Sequence, residues 1–172
     1  MATATAKAKT TRRAGKAKAA KPAKAAKPER LKPGERKTTK RSASVAAFLK
    51  KAAGPDRLAD CQWIVAEMQR AAGAPAAMWG PTIVGFGSYL ITYADGRQAP
   101  WPIIGFSPRK PKMVLYLSRS YPEYPALLKR LGKAKLVGGC LHVGALADVD
   151  TSVLREMISR TVTVMRKKFP AG

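Results

Sequence analysis

The sequence predicts an α+β domain, a small antiparallel sheet packed by helices, preceded by a disordered basic tail. Three observations lead there. The first 43 residues are rich in Lys, Ala and Pro and contain no aromatic. Apolar residues recur at helical spacing before Gly73 and after Asp150. Between these stretches lie β-branched and aromatic runs punctuated by Gly and Pro, the pattern of strands and turns.

The tail holds 15 of the 33 Lys and Arg residues and only two acids, Glu29 and Glu35. Residues 18–23 and 24–29 repeat a six-residue unit with Pro22 and Pro28 at its fifth place. Leu31 is its only large aliphatic residue. Such a segment cannot bury enough apolar surface to offset its backbone entropy, so residues 1–43 are expected to be disordered. Proline and repeated like charge oppose the helix that alanine favours.

Residues 44–169 carry the elements of the domain. Ser44 is placed to cap a short helix through Phe48 and Leu49, ended by Gly54-Pro55. Asp56 is expected to cap a second helix reaching Ala72, with Leu58, Cys61, Val65, Met68 and Ala72 on one apolar stripe. Residues 82–93 read as a strand, with Gly85 and Gly87 marking a bulge or a close approach. Asp95-Gly96 is a hairpin signal. A second strand is expected at 101–106, a turn at 107–111 and a third strand at 113–117. A helix at 122–131 precedes a fourth strand within 136–143, after Gly138-Gly139. Asp148 or Asp150 then caps a last helix to about Lys168.

The net charge of +23 favours polyanionic partners, nucleic acid foremost, and argues against cationic substrates. Lys7, Lys9, Arg12, Arg13, Lys16, Lys18, Lys21, Lys24 and Lys27 are the expected nucleic-acid contacts. They act as summed charge: each neutralised phosphate steepens the log–log salt dependence by about 0.9. No rigid element presents them to base edges, so no sequence specificity is expected. Cys61 and Cys140 are far apart and form no CxxC pair. They read as reduced, buried thiols of a cytoplasmic protein rather than a disulfide or zinc framework. No apolar run is long enough to span a membrane.

In composition the tail resembles the Lys-Ala-Pro tails of linker histones and histone-like bacterial proteins. The domain carries more specific strings: Met78-Trp79-Gly80-Pro81, Ile83-Val84-Gly85-Phe86-Gly87-Ser88-Tyr89 and Gly105-Phe106-Ser107-Pro108-Arg109-Lys110. Leu131-Gly132-Lys133, Cys140-Leu141 and Leu146-Ala147-Asp148-Val149-Asp150 follow in order. Together, over about residues 44–165, they resemble the bacterial YdhG-like family, a domain of unknown function. That resemblance implies a small α+β fold and no assigned activity, although some members carry a frataxin-like iron-chaperone label. This chain departs from it at residues 134–139, where a His and a Lys usually precede the Cys, and at His142, where a Tyr usually follows Cys-Leu.

Candidate sites on the domain divide by chemistry. Ser107, Arg109 and Lys110 form a proline-bounded basic turn suited to an anionic ligand, with Lys133 and Lys135 as possible additions; the alternative is a solvated turn. An enzyme acting on a small anion would use the same residues. Asp148 and Asp150 are the iron candidates, although both also stand where a helix N-terminus favours negative charge. Trp79, Trp101 and Tyr89 either line the core or stack on a ligand. A single histidine, His142, offers no nucleophile–base–acid set, so no catalytic residue is named and no cofactor is expected unless iron is handled. Gly85-Phe86-Gly87 lacks the third glycine of a dinucleotide loop. The leading expectation is therefore a non-enzymatic binding protein, with a frataxin-like iron chaperone as the alternative.

Overall fold

The computed structural model describes residues 40–41 and 43–170. The nine tail bases named above, and most of the tail expected to be disordered, lie outside them.

Ser44 behaves as its sequence position predicts: the Ala47 amide donates to its Oγ at 3.3 Å, opening α1 (Val45–Ala53). Gly54, at φ 72°, lets the chain turn straight into α2 (Pro55–Ala72). Here the expected Asp56 cap is corrected. The cap is Gly54 and the helix begins two residues earlier than expected, because Pro55 at its first position has no amide to satisfy. Asp56 instead places its charge in the first turn, where the helix dipole favours it. The buried stripe is Cys61, Ile64, Met68 and Ala72, with Leu58 and Val65 half-buried beside it.

The main sheet has seven antiparallel strands in the order β1-β2-β3-β6-β7-β9-β8. They are β1 (Lys40–Arg41), β2 (Ala76–Trp79), β3 (Ile83–Phe86), β6 (Ile104–Arg109), β7 (Lys112–Tyr116), β8 (Ala134–Val137) and β9 (Cys140–Val143). A separate two-stranded arm pairs β4 (Tyr89–Thr92) with β5 (Gln98–Trp101) around the predicted Asp95-Gly96 turn. β1 falls inside the stretch expected to be disordered. Its two residues pair with Trp79 and Met78, so the ordered sheet begins before Ser44.

Four strand expectations differ, each for a local reason. The strand expected at 101–106 is divided, because Trp101 ends β5 of the arm and, after Pro102, β6 begins at Ile104 in the main sheet. The single strand at 82–93 is two, because Gly87 adopts φ 61° and directs the chain out of the main sheet. The turn at 107–111 shrinks to Lys110-Pro111, and β6 continues through Pro108 to Arg109. Proline is tolerated there because the β3 ladder has ended at Phe106, leaving no strand on that side to need its amide. The fourth strand is a hairpin. Gly138 and Gly139 have φ 55° and 86°, the paired positive values of a tight I′-type turn between β8 and β9.

α3 (Tyr124–Arg130) precedes β8. α4 (Thr151–Lys168) follows a 3-10 turn at Leu146–Asp148 and is capped by Asp150, whose Oδ1 accepts from the Ser152 and Val153 amides at 2.8 and 3.2 Å. The Leu146 amide donates to Asp60 on α2 at 2.9 Å, tying that turn to the helical layer. Alternate strand residues Val84, Phe86, Ile104, Phe106, Met113, Leu115, Leu141 and Val143 share one buried core with Ile64, Met68, Leu154, Met157 and Ile158. Side chains alternate across a strand, so the helices cover one sheet face and the intervening residues form the other. That second face carries the site.

Candidate binding cleft and basic sheet face

Directly opposed residues of antiparallel strands point the same way, so the register maps the second face row by row. Arg109 stands opposite Lys112. Ser107 stands opposite Val114, Val114 opposite His142, and His142 opposite Lys135. Gly85 stands opposite Gly105, and Gly105 opposite Tyr116.

At the glycine row the face is roofed. The Trp79 indole lies so close over Gly85 that a Cβ there would come within 2.6 Å of it, and Pro102 would be 2.7 Å away. Trp79 is thus a core residue, 1% exposed. Beyond it opens a cleft of about 350 Å³. Gly105 and Tyr116 line it from the sheet, Trp101 from the arm, and Lys168 and Phe169 from the end of α4. Tyr89 stacks on Phe169 with ring centroids 4.3 Å apart. The same two rings also line a second hollow of about 400 Å³, with Leu90, Pro100 and Pro170. Burial pushes the Tyr116 phenol up, partly offset by the neighbouring Arg109 guanidinium, so Arg109 reaches toward the cleft across Ser107. Cys140, expected to be buried, is half-exposed in the cleft lining.

Cations surround this cleft. Lys168 Nζ stands 5.5 Å from the Phe169 ring, and the Arg119 guanidinium lies over Gly139 at the rim. Lys112 continues the row begun by Arg109. Among the described residues, Arg109, Lys110, Lys112, Arg119, Lys135 and Lys168 form no ion pair. Among the described residues, none that lines the cleft is acidic.

The predicted anion turn is therefore redistributed. Ser107 is fully buried in β6, where its hydroxyl donates to the Thr82 carbonyl at 2.7 Å, so it is a strand-to-loop tie and offers no group to an anion. Arg109 and Lys110 are exposed as expected. Lys133 does not join them, because its amine pairs with Asp148 at 3.3 Å. Lys135 lies on the same face but three strands away and in the Ser107 row, about 16 Å from Arg109 at ordinary strand spacing and rise. Asp148 is thus occupied by Lys133, while Asp150 holds the start of α4 and its carboxyl is pulled down mainly by the Ser152 hydroxyl. His142 is half-buried between Val114 and Lys135.

No family model, curated protein or solved structure matches this chain. Among the described residues no helix is long and apolar enough to cross a membrane.

Sequence reasoning missed Lys112, Tyr116, Arg119, Lys168 and Phe169. Lys112, Val114 and Tyr116 do show the period of two that places them on one strand face. Nothing local indicates that the end of α4 closes the same cleft; helix packing across the molecule brings it there.

Proposed function

We propose that the protein is a non-enzymatic nucleic-acid-binding protein in which the basic tail and the second sheet face both contact phosphates. The observation that carries the reading is the face itself. Among the described residues, Arg109, Lys112 and Lys135 project from one side of the sheet without ion-pair partners, next to a cleft with no acid in its lining. Six described ion pairs consume carboxylates elsewhere, so the field over this face stays positive. The nine tail bases add sequence-independent charge. We also propose that residues 44–165 are a YdhG-like domain, supported by the quoted strings and by a fold of the α+β class that resemblance implies.

The test is DNA affinity against salt, by fluorescence anisotropy, on the full chain and two variants. One replaces the nine named tail bases with Gln; the other replaces Arg109, Lys110, Lys112 and Lys135 with Gln. Each contact removed should flatten the log–log slope by about 0.9. Absence of binding at low salt, or a slope that neither variant changes, refutes the reading.

A further inference from the structure

The cleft has features that phosphate binding alone does not require. Its floor is stripped of side chains at Gly105, its walls are the Trp101 and Tyr89–Phe169 rings, and its rim carries Lys168 and Arg119. At about 350 Å³ it stands near the small end of ligand sites, which run from roughly 300 to 1,000 Å³. A flat π-system is the chemistry such walls bind best, and every nucleobase has one. The charge around the cleft selects a ring that brings an anion with it.

We infer that the cleft seats one unpaired base of a single-stranded nucleic acid, stacked on the Trp101, Tyr89 and Phe169 rings with its phosphate toward Lys168 and Arg119. This rests on the nucleic-acid reading above and names its substrate class. A base inside a duplex is covered on both faces by its neighbours and cannot enter the cleft without being unstacked. The cations also continue past the cleft. Lys112 lies four residues along its strand from Tyr116, about 13 Å away at the rise of a β-strand, and the Arg109 guanidinium, beside the Tyr116 phenol, stands between it and the cleft. A free mononucleotide would leave that row unused, whereas the backbone of a longer strand would run along it.

The experiment compares three polyanions on the full chain at one salt concentration: oligo(dT), a DNA duplex, and inorganic polyphosphate, which has charge but no bases. Oligo(rU) runs beside oligo(dT) to show which sugar is preferred. Trp101→Leu and Phe169→Leu are the variants, each checked for folding by its thermal midpoint. Phe169, just past the end of α4, decides the matter if Trp101→Leu unfolds the chain. The wild type should bind oligo(dT) tighter than either control. Each variant should lose about 5- to 150-fold on oligo(dT), the stacking of one base, with polyphosphate affinity unchanged. If folded variants bind oligo(dT) as the wild type does, or lose both ligands equally, the stacking inference is overturned while the polyanion reading stands. If the wild type binds polyphosphate but no nucleic acid, or binds nothing, both fall.

Discussion

Four glycines differ in what opposes an added methyl group, and the structure ranks the cost of Gly→Ala at each. At Gly96, in the arm turn, nothing lies within 4 Å, and the only cost is φ 78°. A left-handed conformation costs an L-residue about 1–2 kcal/mol. At Gly87 the same backbone cost joins a contact of 2.8 Å with Ile103 Cδ1, a side-chain tip that can swing away. At Gly85 the backbone is unstrained, but the new Cβ meets Trp79 at 2.6 Å and Pro102 at 2.7 Å. Both are rigid rings, and Trp79 is buried, so overpacking of about 1–3 kcal/mol is expected. Gly105→Ala is the most severe. Its Cβ would meet the Val84 carbonyl at 2.7 Å and the Gly85 backbone at 3.2 Å, so β3 and β6 must separate or the strand must bend. That should reach the upper end of the overpacking range, about 3 kcal/mol. Urea unfolding of the four variants, followed by far-UV circular dichroism, gives the order directly. The reasoning fails if Gly105→Ala is no more destabilising than Gly96→Ala, or if Gly85→Ala is neutral.

Two further outcomes are expected. A thiol reagent should label Cys140 in the native protein and Cys61 only after unfolding, because Cys61 is fully buried and burial pushes its thiol up to about 11. Two fast native sites by mass spectrometry would contradict this. The depressed Asp150 carboxyl should add stability that is complete above its ordinary value of 3.8 and is lost as the pH falls below that, through the lower folded value. Asp150→Asn keeps an acceptor for the cap and should remove that part of the acid sensitivity; an unchanged pH dependence of the urea midpoint would show that the charge at Asp150 contributes nothing.

The fold class was legible because its signals are local. The Ser44 cap, the Asp95-Gly96 turn, the helix stop at Gly73 and the apolar stripe of α4 each follow from a few neighbouring residues. The strand errors arose where one glycine has several possible meanings. Gly87 reads equally as a bulge or as an exit from the sheet, and only φ 61° distinguishes them. Gly138-Gly139 reads as the approach to a strand until its partner is known to precede it. At the site, Arg109 and Lys110 were found because charge beside proline is visible in a string. Ser107 was misjudged because it shares a face with exposed Arg109 and is buried only by the loop before β3, whose Thr82 carbonyl accepts its hydroxyl. The cleft itself was not legible. Trp101, Tyr116 and Phe169 are widely separated in the chain, and each alone looks like an ordinary core aromatic.

The strand β8 closes one edge of the sheet with an open row of backbone donors and acceptors, and Leu136 and Val137 on it are 38% and 53% exposed. An apolar strand edge of that kind invites a second chain to add itself. What discourages it is the lysine just before them: two copies meeting at this edge would bring Lys135 charges together. On the nucleic-acid reading proposed above, the same side chain would also hold phosphate. A polyanion bound there would neutralise Lys135 and so lower the barrier to edge pairing. Copies brought together on one polyanion would then meet strand to strand at β8.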